Sequence, residues 1–156
     1  MPEQWRFVLP LAFALSACAT GSADNYSDSK LGYVPYSEAE KADWTDAEPV
    51  TVTLADFEFE PKTLVFESGR VYRLELQNKG ESTHFFAAED FFKASVTETL
   101  KAGGGSMERP LLKAVALAPG ETKELLILPV RPGTYALECT APFHRALGMS
   151  GTITVM

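Results

Sequence analysis

A two-layered all-β fold, a sandwich or closed barrel of antiparallel strands with one short helical insert, is what the sequence predicts. Three observations lead there. Apolar residues alternate with polar ones in short stretches, two-residue turn signals separate those stretches, and one window alone carries helical spacing. The 156 residues are 46% hydrophobic and 11% aromatic, enough for one well-filled core.

The elements follow in order. Val50, Val52 and Leu54 alternate with Thr51 and Thr53, the period-two pattern of a half-buried strand. Further strands are predicted at 57–59, 64–66, 71–76, 84–87, 114–117, 122–128, 133–139 and 151–155. Ser68-Gly69, Lys79-Gly80, Pro119-Gly120 and Pro132-Gly133 supply turns between them. Residues 88–102 have helix-like spacing, with Phe91, Phe92, Ala94 and Val96 as candidate buried positions, and the triple glycine 103–105 ends that stretch.

Ahead of the strands lie an address and a spacer. Residues 7–17 form an apolar run too short to span a bilayer but suited to a secretory signal. Leu15-Ser16-Ala17-Cys18 resembles a bacterial lipobox, which implies cleavage before Cys18 and lipidation of its sulfur. Ala17-Cys18-Ala19 also fits ordinary signal cleavage, which would release a soluble chain from Thr20. Residues 1–17 therefore read as a signal peptide, 18–48 as a lipid-anchored flexible tether poor in periodic apolar pattern, in which Tyr26, Leu31, Tyr33, Val34, Tyr36 and Trp44 are exceptions able to pack onto the domain, and 49–156 as the folded domain. The protein is expected in a bacterial periplasm, touching the membrane only through its anchor; Ala19 favours the outer membrane.

The net charge of −7 excludes nucleic acid, which needs clustered Lys and Arg to neutralise phosphates. It suits a basic protein partner met by electrostatic steering. The two cysteines, Cys18 and Cys139, stand in contexts too different to form a plausible pair.

The chemistry concentrates near the end of the chain. Tyr135, Leu137 and Cys139 share parity on a predicted strand, which aims the Cys139 sulfur inward. His144 and Met149 follow on one short connection before Ile153 and Val155. Thiolate, imidazole and thioether are a soft ligand set, suited to copper rather than to magnesium or calcium. One more imidazole completes a trigonal His2Cys plane with a weak axial Met, the arrangement of an electron-transfer copper site. His84 is the only other histidine, and it follows a polar turn, 78–83, that can bring it to the same end of the fold.

Cys139-x4-His144-x4-Met149 followed by Gly151-Thr-Ile-Thr-Val155 resembles the closing hairpin of the cupredoxins, the family of azurins, plastocyanins and auracyanins. The resemblance covers about 49–156 and implies a Greek-key sandwich binding one type 1 copper ion. It assigns His84 as the upstream ligand, Cys139 as the thiolate, His144 as the second imidazole and Met149 as the axial thioether. Phe85 stands where the family often has an Asn that ties the ligand loops, and Phe143 where a Gly commonly precedes the second histidine. Pro142, Phe143 and Leu147 surround His144 with apolar surface, the expected port for electrons.

The function expected is single-electron transfer, without catalysis, between redox proteins such as a c-type cytochrome and a terminal reductase or oxidase, by a monomer. The alternative is a module for copper trafficking or resistance, although such sites favour exposed Met- or His-rich clusters. A multicopper oxidase or nitrite reductase needs His-x-His pairs, and a binuclear centre needs a second loop cysteine; the chain has neither.

Overall fold

The computed structural model describes residues 28–156. Cys18 and the expected signal peptide lie outside the described residues. Among the described residues, eleven strands form two sheets. Six make the first: β1 (Glu48–Ala55), β2 (Glu58–Glu60), β4 (Tyr72–Asn78), β6 (Ser95–Ala102), β7 (Gly105–Glu108) and β9 (Thr122–Pro129), in the order β2-β1-β4-β9-β6-β7. The other five are β3 (Thr63–Phe66), β5 (His84–Ala87), β8 (Ala114–Leu117), β10 (Gly133–Glu138) and β11 (Ser150–Val155), in the order β3-β11-β10-β5-β8. The predicted all-β sandwich is the fold observed.

The alternating strands behave as their patterns require. Val52 and Leu54 of β1, Leu74 and Leu76 of β4, and Leu125 and Ile127 of β9 are fully buried in one core. Ile153 and Val155 of β11 and Leu137 of β10 face them from the opposite sheet. One face of each sheet is thus apolar and removed from water, the burial that stabilises a sandwich.

Two expectations are corrected. The pairing is not wholly antiparallel: β1 runs parallel to β4, and β3 parallel to β11. The chain crosses to the second sheet as β3 before returning as β4, so β4 comes to lie beside β1 in the same direction. The helical window is also mostly strand. Only α1 (Glu89–Lys93) is helical; β6 follows at once and pairs with β9 and β7. Phe91, Phe92, Ala94 and Val96 are buried as anticipated, but Val96, Thr97 and Thr99 are β-branched, and a pairing strand was available to them. Residues 103–105 turn a hairpin instead of ending a helix.

Packing begins before Pro49, where the apolar exceptions of the preceding stretch meet the domain. Tyr33, Val34, Ala39 and Ala47 are buried, and residues 36–39 form one 3-10 turn. The Tyr33 hydroxyl donates to the carbonyl of Leu112 at 2.8 Å, the Val34 N–H donates to Lys93 at 2.9 Å, and the Arg109 guanidinium lies 3.7 Å from the Tyr36 ring centre. Isolated aromatics in a polar stretch find sites on a surface that already exists, so no periodic pattern of their own is needed. Among the described residues no helix is long and apolar enough to cross a membrane.

Candidate metal centre

The turns at one end of the sandwich bring the predicted ligands together. His84 opens β5, Cys139 follows β10 directly, and the connection to β11 carries His144 and Met149. This connection is closed by its own backbone. The Cys139 N–H donates to the Met149 carbonyl at 3.1 Å, and the Met149 N–H donates to the His144 carbonyl at 3.0 Å. Arg145 reaches back to Glu138 at 3.1 Å.

His84, Cys139 and Met149 are fully buried, and Cys139 and Met149 belong to the main core cluster. His144 is half-buried. The ligand atoms of His84, Cys139 and His144 form one group. The two Nδ1 atoms are 3.2 Å apart, and Cys139 Sγ lies 3.9 Å from that of His84 and 3.6 Å from that of His144.

Those three distances define a small triangle whose equidistant point lies about 2.1 Å from each corner, against a metal–imidazole bond of about 2.0–2.1 Å and a metal–thiolate bond of about 2.3 Å. The group therefore has the dimensions of a trigonal His2Cys site. Its donors are two imidazoles and a thiol, with a buried thioether on the same loop, a set that suits copper and not an oxygen-seeking cation. Fold and donors together support one type 1 copper ion.

The surroundings prepare His84 to act as a neutral ligand. Burial pushes its pKa below the ordinary value, with Asp56 opposing. Its Nε2 lies 3.0 Å from Oδ1 of Asp56, close enough for an ion pair but off the line of a strong hydrogen bond. The other carboxylate oxygen of Asp56 accepts from the Glu81 N–H at 3.1 Å. That bond first, and the imidazole of His84 after it, hold the Asp56 carboxyl below the usual carboxylate range.

Close approach is possible because residue 80 is glycine. A Cβ there would stand 2.5 Å from His84 Nε2 and 3.1 Å from Asp56 Oδ1. Asn78 fixes the rest of the turn, its amide donating to the carbonyls of Ser82 (2.8 Å) and Leu117 (2.9 Å) while its oxygen accepts from the Gly80 N–H at 2.9 Å.

One backbone group serves the sulfur and one side chain serves the second ring. The Phe85 N–H approaches Cys139 Sγ at 3.4 Å; a main-chain donor needs no Asn side chain at this position. Phe57, beside Asp56 in the β1–β2 turn, meets the His144 ring edge-on with centroids 5.1 Å apart. Around His144 the surface is apolar: Phe143 is 80% exposed, Leu147 59% and Phe57 39%, and Pro142 is exposed too.

Sequence reasoning had named the four donors but not Asp56, Phe57, Asn78 or Gly80. Asn78 and Gly80 carried a turn signal; nothing in the order of residues linked Asp56 or Phe57 to a histidine.

No curated protein matches the chain. Among solved structures it is similar to the multicopper oxidase McoA of Aquifex aeolicus, at 18% identity and TM-score 0.60, covering 72% of this chain and 30% of that one. It is similar to the copper nitrite reductase of Nitrosomonas europaea, at 12% identity and TM-score 0.55, covering 75% and 52%. It is also similar to auracyanin from the photosynthetic bacterium Roseiflexus castenholzii, at 20% identity and TM-score 0.49, covering 70% and 98%. The chain thus spans about a third of the oxidase and half of the reductase, and at these identities the likeness is one of fold. A family model described as a cupredoxin-like domain matches residues 31–155; with most of its length so matched, the chain belongs to the cupredoxin-like family.

Proposed function

We propose that this protein is an exported electron carrier in which His84, Cys139, His144 and Met149 would hold one copper ion. The observation that carries the reading is the triangle of Nδ1, Nδ1 and Sγ atoms sized for one metal ion. Copper, when bound there, supplies a one-electron couple. The chain's own part is to hold one geometry for both oxidation states: strand ends fix His84 and Cys139, and backbone bonds close the loop between Cys139 and Met149.

Electrons enter and leave through the half-buried ring of His144, at the apolar patch of Pro142, Phe143 and Leu147. A redox protein such as a c-type cytochrome or a terminal oxidase or reductase docks there against a monomer. Burial of His84, Cys139 and Met149 favours a carrier over a trafficking module, since a donor closed off from solvent exchanges its ion slowly. Catalysis of the oxidase or reductase kind requires further copper sites, and both histidines of this chain are already engaged. Export and anchoring rest on the apolar run 7–17 and on lipidation of Cys18 in Leu15-Ser16-Ala17-Cys18.

The test is a visible spectrum of the Cu(II)-loaded protein beside Cys139→Ser. The wild type should show an intense thiolate-to-copper band, and the variant should lose it. A band that persists in the variant removes Cys139 as ligand.

A further inference from the structure

The β1–β2 turn touches both candidate histidine ligands from outside the ligand loops. Asp56 lies against Nε2 of His84, and Phe57 against the ring of His144. Phe57 holds φ 145°, a conformation that favours glycine; such a turn persists only where its contacts over-determine it. Glu81 and Gly80 complete the cradle: one donates its N–H to Asp56, and the other leaves the space in which the carboxylate meets the ring.

We propose that Asp56 is a positioning residue of the metal centre, whose carboxylate keeps the proton of His84 on Nε2, leaves Nδ1 open to the ion, and biases the couple toward Cu(II). This rests on the copper reading above. The partner of one ring nitrogen decides which tautomer a histidine adopts, and a carboxylate behind a metal-bound imidazole makes the ring a stronger donor. The charge adds to this. A fixed negative group two contacts from the ion stabilises the doubly charged state more than the singly charged one. Asp56 is a third exposed, so solvent screens that preference without cancelling it.

The experiment compares wild type, Asp56→Asn and Glu58→Gln, loaded with copper alone, by visible spectrum and midpoint potential. Asp56→Asn keeps shape and an acceptor but loses the charge; Glu58→Gln removes a charge from the neighbouring exposed strand without touching a ligand. The Cu(II)-over-Cu(I) preference of Asp56→Asn should fall about three- to tenfold, a tenfold fall raising the potential by about 59 mV. Glu58→Gln should move it less than half as far.

An intense charge-transfer band with equal potentials in all three proteins overturns the role of Asp56 and leaves the copper site standing. Absence of the band in the wild type overturns the site itself. A third measurement needs no variant: nitrogen NMR of metal-free wild type should find His84 protonated at Nε2. Protonation at Nδ1 overturns the proposal even if Asp56→Asn fails to fold.

Discussion

Replacing Asn78 with alanine should both weaken the fold and loosen the metal centre. Asn78 is 2% exposed, and its side chain satisfies three backbone groups: the carbonyls of Ser82 and Leu117 and the N–H of Gly80. The bond to Leu117 is buried, so its carbonyl would lose a donor that water cannot readily replace, at a cost of about 1–3 kcal/mol. The other two partners lie nearer the surface, where water replaces part of what is lost, adding roughly 1 kcal/mol between them. Together the loss is about 2–4 kcal/mol, which for a domain of this size lowers Tm by roughly 10 °C. Urea unfolding of the metal-free protein, with an unchanged slope on denaturant, measures this directly. Asn78→Asp makes a stringent partner variant. It can still accept from Gly80, but it turns a carboxylate toward two carbonyls and should be at least as unstable. A loss below about 1 kcal/mol for Asn78→Ala would refute the assignment of Asn78 as the brace of the 78–83 turn.

Met149→Leu should keep the thiolate-to-copper colour while raising the midpoint potential, because the thioether would add a weak donor that favours the oxidised ion to the group that His84, Cys139 and His144 already form; loss of colour would show that Met149 is needed to build the site. Phe143→Asp or Leu147→Asp should slow electron exchange with a protein partner at least tenfold with the copper spectrum unchanged, since a charge would sit in the apolar rim around His144; stopped-flow rates equal to wild type would place the port elsewhere. Tyr33→Phe should destabilise the fold by about 1 kcal/mol through loss of the hydroxyl bond to Leu112, read by thermal melting. No change would mean that the segment before β1 contributes by ring burial alone.

The contrast between sequence and structure is clearest in individual residues. Period-two alternation announced most strands because one face of each must be apolar whatever lies opposite, and the four donor types were visible because their order along the chain is itself the chemical pattern. Alternation failed at β6, where Val96, Thr97 and Thr99 follow a true helical turn without a break, and the strand exists only because β9 offers an edge to pair with. Tyr33 and Val34 stood out of a polar stretch only as apolar exceptions, and they are buried by the surface they land on and not by a pattern of their own. Asp56 shows the limit most plainly. Its neighbours in sequence say only that a turn occurs there, whereas its contact with His84 depends on how two sheets stack and on the missing Cβ of Gly80. Local order thus determined most of the strands and the identity of the candidate donors, because both are set by side-chain chemistry along a few residues. The spacing of those donors, and the carboxylate behind one of them, belong to the tertiary structure, because they arise where distant turns meet at one end of the sandwich.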